Sequence, residues 1–253
     1  MNNITEIKVE NLKLSYSNNI LMSKVSFEIL RGDIFIIMGA SGSGKSTLLK
    51  SLIGLKQPSM GKVFIQGKDF YNSNNENRKK ILQNCGILYQ NGALFSTMTI
   101  AENVAFPLQQ FTSYSKSTID KLVELKLSLV GLRGYNNFYP DELSGGMKKR
   151  ASLARAIALD PQILYFDEPS SGLDPISSQL LDELILDINA NLGTTIVIIS
   201  HDINSILSIG KNAIYLDSEK KQIIAKGNPK KWIKNPPNQT VANFFRRSIC
   251  ERP

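Results

Sequence analysis

Apolar and polar residues alternate through residues 5–16, with Ile7 and Val9 on one parity and Leu12, Leu14 and Tyr16 on the other, and again through Val25-Ser26-Phe27-Glu28-Ile29. Period-two stretches of this kind predict strands. After the turn Arg31-Gly32-Asp33 the run Ile34-Phe35-Ile36-Ile37-Met38 is apolar throughout and predicts a buried strand, while Thr47 to Ile53 has helical spacing. Pro58-Ser59-Met60-Gly61 then marks a turn before an alternating strand, Lys62 to Gly67, which continues an antiparallel part. Residues 71–80 are polar and predict a loop leading into a short helix, followed by a strand Gly86-Ile87-Leu88-Tyr89 that ends at Gln90. From Thr99 to Tyr139 the pattern turns helical, with Ile119, Leu122, Val123, Leu125 and Leu127 as apolar positions and Pro107 and Gly131 as interruptions; this predicts an inserted helical lobe. A helix from Ser144 to Asp160, a strand Gln162 to Phe166, a helix to about Asn191 and a buried strand Thr194 to Ser200 complete an α/β pattern.

The chemistry lies where these strands end. Gly39-Ala40-Ser41-Gly42-Ser43-Gly44-Lys45-Ser46-Thr47 meets every position of G-x-x-x-x-G-K-[ST] between a strand and a helix. Its glycines let the backbone turn N–H groups inward, and the helix adds its positive end. Lys45 then reaches the β- and γ-phosphates and the Ser46 hydroxyl a Mg²⁺ ion. Ser144 stands at an N-cap position, and Gly145 and Gly146 leave the N–H groups of that helix open to a phosphate. Asp167-Glu168 ends a buried strand, a costly placement unless a cation or water uses it. Asp167 would hold Mg²⁺ and Glu168 would orient and deprotonate an attacking water; the alternative is a surface carboxylate pair. His201, the single histidine, follows a strand at the end where open α/β sheets bind ligands. Tyr16, before the polar turn Ser17-Asn18-Asn19, either offers its ring to a base or packs in the sheet.

Composition narrows the classes. The 253 residues, 42% apolar, suffice for a large α/β domain. No run approaches the ~18 apolar residues that span a bilayer, and Met1 to Glu10 has no hydrophobic leader core, so a soluble chain is expected. Cys85 and Cys250, outside any metal-ligand spacing, fit a reducing compartment without a bridge. The net charge of +8 is confined to the end: residues 220–253 hold nine Lys or Arg against Glu251, and the rest is neutral. That basic tail, with Trp232, Phe244 and Phe245 among its charges, could meet an anionic membrane surface, dock on a partner subunit, or form a solvated tail with a small packed helix.

Taken together, these motifs resemble the nucleotide-binding subunits of ABC transporters over nearly the whole chain. Gly39 to Thr47 looks like Walker A, Gln90 like the Q-loop, Leu143 to Met147 like the signature, Ile163 to Glu168 like Walker B, Ser171 to Asp174 like the D-loop and His201 like the switch histidine. The resemblance implies a P-loop NTPase with a RecA-like core, an antiparallel β subdomain and a helical subdomain at about 92–158. An ATPase domain would then occupy 1–235 and a basic extension 236–253. It further implies ATP and Mg²⁺ as ligands, Ser46, Gln90 and Asp167 at the metal, Glu168, Gln90 and His201 in catalysis, and Tyr16 and Asp174 at the nucleotide. Two copies would close head to tail, Ser144, Gly145 and Gly146 of each covering the other's ATP. The signature departs from the family at Met147, where Gln is usual.

Asn91 to Thr99, Glu102 to Leu108 and the Met-ending signature look most like the ATPases of Mla or Mce phospholipid transport, which serve outer-membrane lipid homeostasis. The expected partners are a second copy, integral membrane permease subunits, a lipid-binding substrate protein and a small regulatory subunit, with the chain peripheral on the cytoplasmic face of the inner membrane. A lipid of about 30 methylenes would cost ~24 kcal/mol to expose to water at ~0.8 per CH₂, so its path must lie in such partners. Two other classes are a mechanical ATPase of the cell-division type and a DNA-directed ATPase. The latter carries a long coiled coil between phosphate loop and signature; here about 100 residues without sustained heptads intervene, and no nucleic acid partner is expected.

Overall fold

A computed structural model describes residues 4–17 and 19–250, apart from the side chains of 247–250. In chain order the elements are β1 (Thr5–Tyr16), β2 (Asn19–Leu30), β3 (Ile34–Gly39), α1 (Lys45–Leu52), β4 (Met60–Ile65), β5 (Lys68–Asp69), α2 (Asn75–Gln83), β6 (Cys85–Leu88), α3 (Ile100–Phe111), α4 (Lys116–Leu129), α5 (Gly145–Ala156), β7 (Ile163–Asp167), α6 (Pro175–Leu192), β8 (Thr195–Ile199), α7 (Ile203–Ile209), β9 (Asn212–Asp217), β10 (Gln222–Gly227), α8 (Pro229–Trp232) and α9 (Gln239–Cys250). They form two compact units, Met1–Lys79 with Thr195–Pro253, and Lys80–Thr194.

The first unit holds an antiparallel sheet in the order β2-β1-β4-β5. The change of parity in β1 has a local cause. Ile7, Val9, Leu12 and Leu14 are all buried, and the register shifts between Val9 and Leu12, where Asn11 takes a left-handed φ of 48°. This bulge returns the apolar side chains to the core face, since otherwise one residue of slip would turn them outward. Gly61 of β4 receives the bulge: a Cβ there would lie 2.5 Å from the Glu10 carbonyl oxygen. β4 ends at Ile65, short of the expected Gly67, because Gln66 and Gly67 (φ 53° and 74°) make the two-residue turn into β5.

In the same unit β3 pairs in parallel with β8 and β9, and β10 adds antiparallel to β9. Ile34, Ile36, Ile37 and Met38 have no exposed surface, and α1 packs against β3 and β8 through the side of the helix that carries Leu48 and Leu52. β9, β10 and α7 are not among the elements expected from the sequence pattern. The tail packs on them: Val241, Ala242 and Phe245 are buried, the Phe244 ring meets Tyr215 at 5.3 Å, and Asn238 Nδ2 donates to the Ile224 carbonyl at 3.0 Å. Two of its lysines also bond inward, Lys226 to the Ser26 carbonyl (2.6 Å) and Lys230 to that of Ser208 (3.1 Å). Residues 239–246 thus belong to a packed helix; the Arg247 and Cys250 side chains, like Asn18, lie outside the described residues.

In the second unit β6 and β7 are parallel neighbours, and α3, α4 and α5 pack on one another. Each helix start has a side-chain cap: Thr99 with Glu102 in a reciprocal capping box on α3, Ser115 on α4, Ser144 on α5 and Asp174 on α6.

Candidate nucleotide site

The predicted residues divide between the units: Tyr16, the 39–47 loop and His201 in the first, Gln90, Ser144, Gly145, Gly146, Asp167, Glu168 and Asp174 in the second.

In the first unit β3 delivers Gly39 at φ 152°, opposite Leu216 of β9, so close that a Cβ would stand 2.4 Å from the Leu216 carbonyl oxygen and 2.6 Å from Ser43 Oγ. Glycine is required there for space as well as dihedral. Gly42 (φ 77°) has nothing within 4 Å of a Cβ, so only its dihedral calls for glycine. α1 starts after Gly44 without a side-chain cap, unlike the helices of the second unit. Its first N–H groups are a ready anion site. Lys45 curls over the loop, Nζ donating to the carbonyls of Gly39 (2.9 Å) and Ala40 (3.0 Å), which holds the ammonium at the cradle. Ala40, Ser41 and Ser46 are exposed, Thr47 is half-buried, and Ser43 Oγ is buried without a hydrogen-bond partner. An orphaned hydroxyl, an uncapped helix and a loop that begins at Gly39, where no side chain fits, suit a phosphate ligand. The exposed Ser46 hydroxyl is a hard oxygen donor of the kind Mg²⁺ takes.

Tyr16 is 48% exposed, with Lys56 Nζ 4.2 Å from one ring face. His201 is exposed in the link from β8 to α7; Asp202 after it caps α7, accepting from Asn204 N at 3.0 Å, and its own N–H donates to Ser200 Oγ at 3.0 Å.

In the second unit β7 is buried up to Phe166, and Asp167 and Glu168 emerge half-buried. Glu168 has a left-handed φ of 53° immediately before Pro169. That is strained backbone for a side chain of this size, and such strain gathers where a group must be aimed. Asp167 supplies a carboxylate oxygen suited to Mg²⁺, and among the described residues no cluster of three acidic, His or Cys side chains competes with it.

Gln90, exposed just past β6, donates from Nε2 to Ser171 Oγ at 3.2 Å. The loop after it is held from within: fully buried Asn103 accepts from Phe95 N (2.8 Å) and donates to the carbonyls of Phe95, Met98 and Thr99. Ser144 accepts from Met147 N at 3.3 Å, and Ser144 and Gly145 are exposed at the start of α5. A Cβ at Gly146 would stand 3.0 Å from Ser177 Oγ, a tight but adjustable contact. Asp174 is the exposed cap of α6; its hydrogen bond from Ser177 Oγ (2.6 Å) and the nearby N–H groups hold its carboxyl below the ordinary range.

The sequence pattern gave no notice of Lys149. It is only 7% exposed, its ammonium donates to the Gln90 carbonyl, and burial pulls its pKa down against the opposing pull of Glu168 and Asp167.

A family model described as ABC transporter matches residues 22–171. The Intermembrane phospholipid transport system ATP-binding protein MlaF of Haemophilus influenzae is 38% identical over 90% of this chain and 86% of its own, and that of Escherichia coli K12 38% over 91% and 85%. The Probable ribonucleotide transport ATP-binding protein mkl of Mycobacterium leprae is 43% identical over 81% of this chain, which spans 59% of that relative's length. Among solved structures, cbiO1 of Clostridium perfringens, part of the ABC transporter complex cbiONQ, superposes with a TM-score of 0.84 at 27% identity over 98% of this chain and 96% of its own. The dimeric post-hydrolysis cassette MJ0796 bound to ADP and Pi gives 0.78 at 29% identity over 88% and 98%.

Proposed function

The chain belongs to the ABC transporter family, and from that premise we propose that it is the ATP-hydrolysing subunit of a phospholipid transporter, acting as a homodimer beneath membrane permease subunits. The observation that carries the ATPase reading is the uncapped start of α1 behind Gly39 and the orphaned Ser43 hydroxyl. ATP would be held by the main chain of residues 39–47, with Lys45 leaving its two carbonyls for the phosphates, and by Tyr16 stacking on the base with the ring face that Lys56 leaves open. Ser46, Gln90 and Asp167 would supply oxygen ligands to Mg²⁺, whose positive charge would offset that of the phosphates. Glu168 takes the proton of the attacking water, and His201 bonds the γ-phosphate. The exposed starts of α5 on two copies, Ser144 with Gly145 and Gly146, close over each other's nucleotide, with Asp174 alongside; the pairing of two copies is supported by the dimeric relative bound to ADP and Pi.

Lipid as cargo is supported by the MlaF relatives, which align over 85–86% of their own length, whereas the mycobacterial one aligns over 59%. Among the described residues no helix is long and apolar enough to cross a membrane. The chain's part is therefore to convert dimer closure into movement of permease helices through residues 90–98, from the cytoplasmic face of the inner membrane. A lipid-binding substrate protein and a small regulatory subunit complete this reading, whose purpose is outer-membrane lipid homeostasis.

The test is to purify tagged Glu168→Gln protein with ATP from gently solubilised membranes and identify co-purifying proteins and lipids by mass spectrometry. A multi-span permease with enriched phospholipid is expected. A membrane partner without cargo would replace transport with a mechanical role, and bound nucleotides other than ATP would redirect the cargo.

A further inference from the structure

Lys148, Lys149 and Arg150 are consecutive on α5, and their three side chains part company. Lys148 pairs with Asp141 at 3.6 Å, Arg150 reaches the carbonyls of Val130 and Gly131 at 3.2 and 3.3 Å, and Lys149 turns inward. Residues three apart on α5 continue along one side of the helix, and that side lies against the backbone of residues 90–93. Lys149 donates to the Gln90 carbonyl; Gly92 sits so near α5 that a Cβ would be 2.5 Å from Ser152 Oγ; Arg155 donates to the carbonyls of Gly92 (2.9 Å) and Ala93 (2.7 Å). The acids whose charges act on the Lys149 ammonium are Glu168 and Asp167.

We propose that Lys149 is a positioning residue that fastens the Gln90 loop to α5, so that a phosphate engaging Ser144–Gly146 moves Gln90 without slack. It rests on the proposed ATPase reading. A buried charge-assisted bond to a main-chain carbonyl fixes the loop whatever side chains it carries, and Arg155 repeats the hold one turn and a half further on.

The full-length chain with Lys149→Met or Lys149→Arg tests this by ATP titration, steady-state turnover and hydrogen exchange. Lys149→Met should leave ATP affinity and KM within about twofold, lower kcat about tenfold and raise amide exchange at 90–95 about tenfold, with Lys149→Arg restoring both. Unchanged exchange and kcat in Lys149→Met, or equal kcat losses in both variants with unchanged exchange, would overturn the proposal. Absent wild-type turnover would instead count against the ATPase reading, while the exchange comparison still decides the hold. If Lys149→Met does not fold, the wild-type chain decides: amides of 91–93 exchanging as slowly as α5 support the proposal, and exchange as fast as 112–115 overturns it.

Discussion

Replacing Gly39 by alanine places a methyl 2.4 Å from the Leu216 carbonyl oxygen and 2.6 Å from Ser43 Oγ. The first contact is about 1 Å short of ordinary separation. Ser43 can rotate, but Leu216 is main chain in β9, paired with Gly39 itself, so relief requires β3 and β9 to part where the phosphate loop begins. Overpacking of this kind costs ~1–3 kcal/mol, and a φ of 152° adds a glycine-only strain of ~1–3 kcal/mol. At ~2–4 °C per kcal/mol for a chain of this size, a mid-range loss of ~4 kcal/mol lowers the melting temperature by roughly 8–16 °C. Gly42→Ala is the control, since a methyl there meets nothing within 4 Å and only the φ of 77° opposes it; ~1–2 kcal/mol, or roughly 2–8 °C, is expected. Both variants are melted by circular dichroism without nucleotide, so that ligand binding does not contribute. If Gly39→Ala melts no lower than Gly42→Ala, the close approach of Leu216 does not constrain the loop.

Asn103→Ala removes four hydrogen bonds from a fully buried side chain and leaves Phe95 N without that acceptor. It should cost about 3 kcal/mol in urea unfolding, and a loss below about 1 would refute the account of the loop. Burial, opposed by Asn212, Lys211 and the Ile34 N–H, lifts the Asp33 carboxyl above its ordinary 3.8. The folded chain then holds this proton more tightly than the unfolded one, so Asp33's contribution to stability grows as pH falls through its raised value and levels off below 3.8. Asp33→Asn should remove that slope from urea midpoints followed between about pH 7 and 4; parallel curves for the two proteins would contradict it.

The phosphate loop, the signature and the Asp167-Glu168 pair were legible because each is a short run at the end of a periodic element, and local spacing suffices to find it. Lys149 and Arg155 were not, because their roles depend on which side of α5 meets residues 90–93, a contact some 60 residues distant in sequence that leaves no local period. The parity change in β1 was visible, but its cause at Asn11 needs the partner register and Gly61. β9 and β10 were missed, since residues 203–235 mix short apolar runs with lysines. Tyr16 illustrates an alternative that sequence leaves open: its ring emerges half-exposed rather than packed in the sheet.

The missing cap on α1 reaches beyond binding. Other helices complete their first turn with a side chain of their own, whereas this one leaves its turn to be finished by something dissolved in the surrounding water. A nucleotide that completes this turn would stabilise the folded chain: at a concentration 100-fold above its dissociation constant it adds ~2.7 kcal/mol. A protein built this way carries a gauge of the energy supply in its own durability, and when nucleotide runs short it becomes easier to unfold and degrade.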